Sequence, residues 1–220
     1  MIEHIISKVG AAGKSSVALL ALIFAAPHFA LAAGGDLSGR VLEKRLSNGM
    51  KLLALPRSGA PVVTLEMTFR AGSADEKEGF TGVAHLLEHM LFKGTQKLGT
   101  SDWEKERPIL EEVERVGKKL DLELKKGAKG SGEEALRLRG ELDALIASQR
   151  EFIVKDEIDA IYSRNGGTGF NAFTTTDLTS FIISLPSNRL ELWAAIESDR
   201  MRTPIVREYY VERDVVKKER

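Results

Sequence analysis

The feature that most constrains this chain is a pentapeptide, His85-Leu86-Leu87-Glu88-His89. On a helix, residues four apart share a face one turn apart, so His85 and His89 point the same way and Glu88 joins them. Two imidazoles at that separation can hold one divalent metal with a carboxylate beside it, and zinc suits nitrogen and carboxylate donors best. The helix is expected to begin at a Thr81 cap and to end at Gly94. The plainer readings are a polar edge of a surface helix, or buried histidines satisfied by backbone carbonyls. Against them, the neighbours Val83, Leu86, Leu87, Met90, Leu91 and Phe92 are apolar on nearly every side. A helix apolar all round is expected to be buried, and buried polar groups need partners. The chain has 4 histidines, and the other two, His4 and His28, fall in a segment expected to be removed.

That segment is the N-terminal one. Lys8 and Lys14 precede an apolar run over 17–26, and Ala30-Leu31-Ala32 offers a small-x-small cleavage site. This is the layout of a secretory signal peptide over 1–32, cut between Ala32 and Ala33. The run is short for a membrane anchor. Export to the periplasm or the medium is therefore expected, with no stable membrane anchor. Roughly 190 residues then remain, over 33–220, enough for one to one-and-a-half ordinary domains. With 0 cysteines there is no disulfide framework and no lipid-modified cysteine. The 32 basic and 32 acidic residues balance, which argues against nucleic acid or an anionic membrane as partner.

Along the chain, apolar-rich runs over 41–46 and 50–55 flank Ser47-Asn48-Gly49, a strong hairpin signal. Val63, Leu65, Met67 and Phe69 then alternate with Thr64, Glu66, Thr68 and Arg70, as in a strand with one buried face. A polar loop over 71–80 leads to the metal helix, so three strands are expected to pack on a buried helix in an α+β arrangement. Over 103–154 the style changes. Ile109, Val113, Val116 and Leu120, then Ala135, Leu138, Leu142 and Leu145, form two apolar stripes separated by a glycine-rich turn over 127–132. They predict an antiparallel helical hairpin whose seam is self-contained and whose outer faces are charged. Gly117 and Gly140 weaken its helices by about 1 kcal/mol each relative to alanine.

The stretch Asn165-Gly166-Gly167-Thr168-Gly169 reads as a turn, and it lacks the lysine and capped helix of a phosphate-binding loop. A strand over 170–185, an amphipathic helix over 190–201 and a last helix from about Arg207 complete the pattern. A catalytic zinc wants three protein ligands and an open position. Glu212 and Glu219, seven apart on the last helix, share a face, and periodicity cannot choose between them or against Asp214 and Glu197.

His-x-x-Glu-His is the inverzincin signature, and the wider stretch 82–95 resembles the pitrilysin/insulinase family of zinc peptidases, M16. The resemblance runs over most of the chain from about Leu46. It implies a two-layer mixed sheet with helices on one face, an α/β roll, interrupted here by the helical hairpin over 103–155 as an insertion. It further implies one Zn2+ per chain on His85, His89 and Glu219, with Glu88 as the base that activates water and Glu212 as a carboxylate close behind the metal. A peptide substrate would add as a strand along Asn171-Ala172-Phe173-Thr174. The activity implied is endopeptidase cleavage of extended peptides or small proteins. Family members continue into a second, similar domain, whereas this chain stops one residue after Glu219. Such a fragment is expected to be inactive alone and to need a second M16-type domain or partner subunit. The alternatives are a non-catalytic partner subunit, or a zinc-binding fragment whose hairpin mediates protein interaction.

Overall fold

The computed structural model describes residues 37–127 and 132–219. The segment 1–32, read from the sequence as a signal peptide, lies outside the described residues, as does most of the hairpin's turn. The chain divides into two compact units, one within Gly13–Val62 and one within Val63–Arg220. In the first, a 3-10 turn at Leu37–Arg40 leads into β1 (Leu42–Arg45) and β2 (Lys51–Ala54), which pair antiparallel from Leu42 opposite Ala54 to Arg45 opposite Lys51. The Asn-Gly signal works as its chemistry dictates. Gly49 takes a φ of 88°, and the Asn48 side-chain oxygen accepts the Met50 N–H at 3.1 Å.

In the second unit the elements run β3 (Val62–Phe69), α1 (Val83–Phe92), α2 (Trp103–Leu124), α3 (Glu133–Arg150), α4 (Glu157–Arg164), β4 (Thr168–Thr174), β5 (Thr179–Pro186), α5 (Leu190–Arg202) and α6 (Tyr209–Glu219). The strands form a sheet in the order β3-β5-β4, and β1 and β2 pair with each other in a two-stranded sheet of their own. β4 and β5 are antiparallel. On the other side of β5, Thr64 meets Ser184 and Thr68 meets Ser180 through their hydroxyls, so β3 also runs opposite to β5. The architecture is α+β. Phe181, Ile183 and Leu185 of β5 point into the core, and Leu185 is completely buried. The last two join Ile158, Ile161 and Tyr162 of α4 and Leu192 and Ile196 of α5 in one cluster.

One sequence expectation fails here and one element was not foreseen, both for local reasons. The stretch 170–185 is two strands, because Thr175 turns the chain: its hydroxyl accepts the Asp177 and Leu178 N–H groups. Helix α4 was hidden, since its eight residues are too few for a clear period and its core face is only Ile158, Ile161 and Tyr162.

The largest departure concerns the helical hairpin. α2 and α3 do form it, with Val113, Val116 and Leu120 against Ala135, Leu138, Leu142 and Ile146, and with Leu145 at the margin. The seam is not self-contained, because Tyr210 of α6 completes the same cluster. Gly117 makes that possible: a Cβ there would stand 2.0 Å from the Tyr210 ring. Its absent side chain is a notch for the tyrosine and not merely a weak helix position. Gly140, by contrast, has open space where a Cβ would go. Gly140→Ala should therefore stabilise the protein by up to about 1 kcal/mol, whereas Gly117→Ala should destabilise it by about 1–3 kcal/mol or more through overpacking. Urea titration of both variants checks the opposite signs.

Below the seam the hairpin ends in a buried polar knot. Arg207, just before α6, is fully buried, and its Nε donates to Glu106 of α2 at 2.7 Å. Its two terminal nitrogens donate to the carbonyls of Lys93, Leu98 and Thr95 in the loop that follows α1. Gln149 of α3 donates to the same Glu106 oxygen at 3.1 Å. The hairpin, the loop after the metal helix and the start of α6 are thus tied by one guanidinium.

Candidate metal centre

Helix α1 starts at Val83 behind Gly82, whose φ of 95° suits glycine, and Thr81 is not its cap. The cap comes from outside the helix. The Glu76 carboxylate accepts the Gly82 N–H at 2.7 Å and the Ala84 N–H at 2.8 Å, placing a negative charge at the positive helix end. At the other end Gly94 takes a φ of 93° and lies so close to the Leu98 carbonyl that no larger residue fits. The helix is not buried all round. Glu88, Met90 and Leu91 are buried, while Val83 and Leu87 are about half exposed, at 49% and 55%. Apolar residues outnumber what one sheet face can cover, and the surplus stays in solvent.

The buried side turns the motif toward α6. His85 and His89 bring their Nε2 atoms to 3.2 Å from one another, and Glu219 Oε2 lies 3.7 Å from each. Two nitrogens bound tetrahedrally to zinc at about 2.05 Å stand roughly 3.3 Å apart. The imidazole pair has that spacing, and the carboxylate is a few tenths of an ångström wide of it. A donor set of two imidazoles and one carboxylate is that of a catalytic zinc site with a position left for water. The residues fit the ion. Neither Asp214 nor Glu197 competes: Asp214 faces solvent beside Arg213 and Lys217, and buried Glu197 is engaged by Tyr162 and Arg200.

Glu212 stands behind the ring of His89. Its Oε2 lies 3.1 Å from His89 Nδ1, and its Oε1 accepts from Lys93 Nζ at 2.5 Å. A proton on Nδ1 directed at Glu212 leaves the Nε2 lone pair facing His85 and Glu219. Partial burial pushes the Glu212 carboxyl up, but the bonds from Lys93 and His89 outweigh it and hold the group below the ordinary carboxylate range.

Glu88 is 7% exposed and receives a hydrogen bond on Oε2 from the Thr174 hydroxyl at 2.5 Å. It lines an open cleft of about 430 Å³ with His85, Glu76, Ser73 and Gly82 on one side and Ala172, Phe173, Thr174 and Thr175 on the other. β4 is the edge strand that forms this second wall. Asn171 sits on β4 opposite Ile182, is exposed, and is not part of the cleft lining. The structure thus gathers His85, Glu88, His89, Glu212, Glu219 and three of the four β4 residues, and leaves the Asn171 side chain aside. Sequence reasoning missed Glu76, Lys93 and the bond from Thr174 to Glu88, because none belongs to a periodic pattern and two join residues more than 80 apart.

Residues 52–126 match the family model "Insulinase (Peptidase family M16)". Among characterised proteins, the chain is 33% identical over 61 residues to the zinc protease PqqE of Helicobacter pylori, covering 27% of this chain and 14% of that protein. Over 76 residues it is 40% identical to the mitochondrial-processing peptidase subunit beta of Rattus norvegicus, covering 34% of this chain and 14% of that one. It is 30% identical over 113 residues to the probable zinc protease PqqL of Haemophilus influenzae, covering 49% and 12% respectively. The chain therefore spans well under a fifth of the length of these relatives. A crystal structure of a protease from Helicobacter pylori superposes with a TM-score of 0.53 at 22% identity, covering 82% of this chain and 30% of that one, and shows a shared fold. The His-x-x-Glu-His helix and its carboxylate neighbours lie in or pack against the segment 52–126, and it is over that segment that the chain is similar to the insulinase family of peptidases, M16.

Proposed function

We propose that the chain carries the zinc-binding and water-activating half of a metalloendopeptidase acting on extended peptides or small proteins. The observation that supports this most directly is the packing of two imidazole Nε2 atoms 3.2 Å apart against Glu219, with the buried Glu88 on the same helix facing a cleft. Bound zinc would supply a Lewis acid and a water acidic enough to ionise near neutral pH. Glu88 would take the proton from that water and return it to the leaving amine. Thr174 fixes the carboxylate from the strand side, so the base and the cleft wall move as one piece. A substrate would lie along β4, using the backbone groups of Asn171 and Ala172 for strand addition while Phe173 and Thr174 line its path. The substrate walls opposite β4 would come from a second M16-type domain or partner subunit; one relative is itself named as a beta subunit. Export through the leader over 1–32 places this activity in the periplasm or medium, and N-terminal sequencing of the mature protein should begin near Ala33.

The test of the site is metal content. The purified protein should hold about one zinc, and His85→Ala or His89→Ala should each lose most of it. Equal zinc in the wild type and both variants would sink the assignment.

A further inference from the structure

Two non-glycine residues among those described have positive φ, Asp156 at 51° and Glu208 at 55°. Glu208 sits at the entry to α6, where its carbonyl accepts the Val211 and Glu212 N–H groups, each at 3.0 Å. Any residue could supply that carbonyl, and glycine would do so without strain. A glutamate there carries backbone strain that the surrounding structure must offset, and its side chain is where it makes specific contacts. That carboxylate is 11% exposed, accepts from Arg150 Nε of α3 at 2.9 Å through Oε1, and accepts from Lys93 Nζ at 3.3 Å through Oε2. Lys93 also holds Glu212, and Glu212 holds His89 Nδ1. Charges of alternating sign therefore run from the hairpin to the ring of a metal ligand: Arg150, Glu208, Lys93, Glu212, His89.

We infer that Glu208 is a positioning residue for the metal centre. Its carboxylate clamps the flexible Lys93 stem to the hairpin, so that Lys93 keeps Glu212 in place and Glu212 keeps the His89 ring turned with Nε2 toward His85 and Glu219. The inference rests on the metal-site reading above. It also gives the hairpin a role at the site, because Arg150 is the hairpin's hold on Glu208. Groups that directly orient a metal-bound histidine typically affect metal affinity about ten- to a hundredfold. Glu208 acts through two further side chains, so a loss of about three- to tenfold is expected.

The test is zinc affinity of the full protein, measured by competition with a chromogenic chelator, alongside melting temperature. Glu208→Gly relieves the backbone strain, so the melting temperature should stay within a few degrees of wild type while zinc affinity falls about three- to tenfold. A residue needed only for folding would give the reverse pattern. The double variant Glu208→Gly/Glu212→Gln should bind zinc no more weakly than Glu212→Gln alone, since Glu208 acts only through Glu212. Unchanged affinity in Glu208→Gly, or additive losses in the double variant, would overturn the inference. If the glycine variant does not fold, Glu208→Gln decides: lowered affinity supports the clamp and wild-type affinity overturns it. A His85→Ala control separates the two levels. If it binds zinc normally, the metal site itself is wrong; if it loses zinc while both Glu208 variants keep theirs, only the clamp is.

Discussion

Glu88→Gln, introduced into the natural full-length protein, is expected to keep its zinc and lose turnover by about a hundred- to ten-thousandfold. Glutamine has the shape of glutamate and can still accept the Thr174 hydroxyl hydrogen bond, so the helix and the cleft should be undisturbed. It can neither take a proton from water nor pass one to the leaving amine, the two acts the proposed chemistry asks of this side chain. The burial of Glu88 makes the comparison clean, because an isosteric replacement adds no volume to a packed position. The measurement is cleavage of a quenched fluorescent peptide library, with zinc content determined on the same samples. Turnover within a few-fold of wild type would remove Glu88 from the mechanism, and loss of zinc together with turnover would place it among the ligands.

Arg207→Met should destabilise the protein by about 3–5 kcal/mol, the usual result of removing one member of a buried ion pair. Both Arg207 and Glu106 are completely buried, and Glu106 Oε2 already has no hydrogen-bond partner in the structure. Without the guanidinium, Glu106 keeps only the amide of Gln149, and the carbonyls of Lys93, Thr95 and Leu98 lose a donor. The cost lies in the stranded charge and not in lost attraction. The double variant Arg207→Met/Glu106→Leu should therefore recover a substantial part of the loss, since an apolar pair of similar volume can replace a buried ion pair. Urea unfolding of wild type, single and double variants tests this. A single variant within 1 kcal/mol of wild type, or a double variant worse than the single, would show that the knot is not what holds the hairpin to α6.

For the same reason, removing residues 104–155 in favour of a short linker should not leave a folded zinc protein, contrary to what a self-contained seam would allow. The deletion exposes Tyr210 and strands Arg207 and Arg213, whose partners Glu106 and Asp121 both leave with α2. α6 carries Glu212 and Glu219, so its loosening directly reaches the carboxylates that face His85 and His89.

The parts legible in the sequence share one property: their information lies within a few residues. His85, Glu88 and His89 meet because a helix repeats every 3.6 residues, and β3 alternates because a strand repeats every two. The Asn48-Gly49 turn and the two stripes of the helical hairpin are local in the same sense. Spacing put Glu212 and Glu219 on one face of α6 but could not choose between them or against Asp214 and Glu197, and family resemblance was needed to single out Glu219. In the structure they differ because α6 crosses α1 at a particular height, which puts Glu219 beside both Nε2 atoms and Glu212 behind His89 Nδ1. The Glu76 cap, the Tyr210 ring in the Gly117 notch, Thr174 on Glu88 and the Arg207 knot are decided in the same way. Each joins elements that are not neighbours in the helix or strand period, and most join residues over 80 apart. Such contacts depend on how the packed elements bring the chain back on itself, and no local period encodes that. The sequence by itself determined which helix would carry His85, Glu88 and His89 on one face; the tertiary packing decided which side chains hold that helix and those three residues in place.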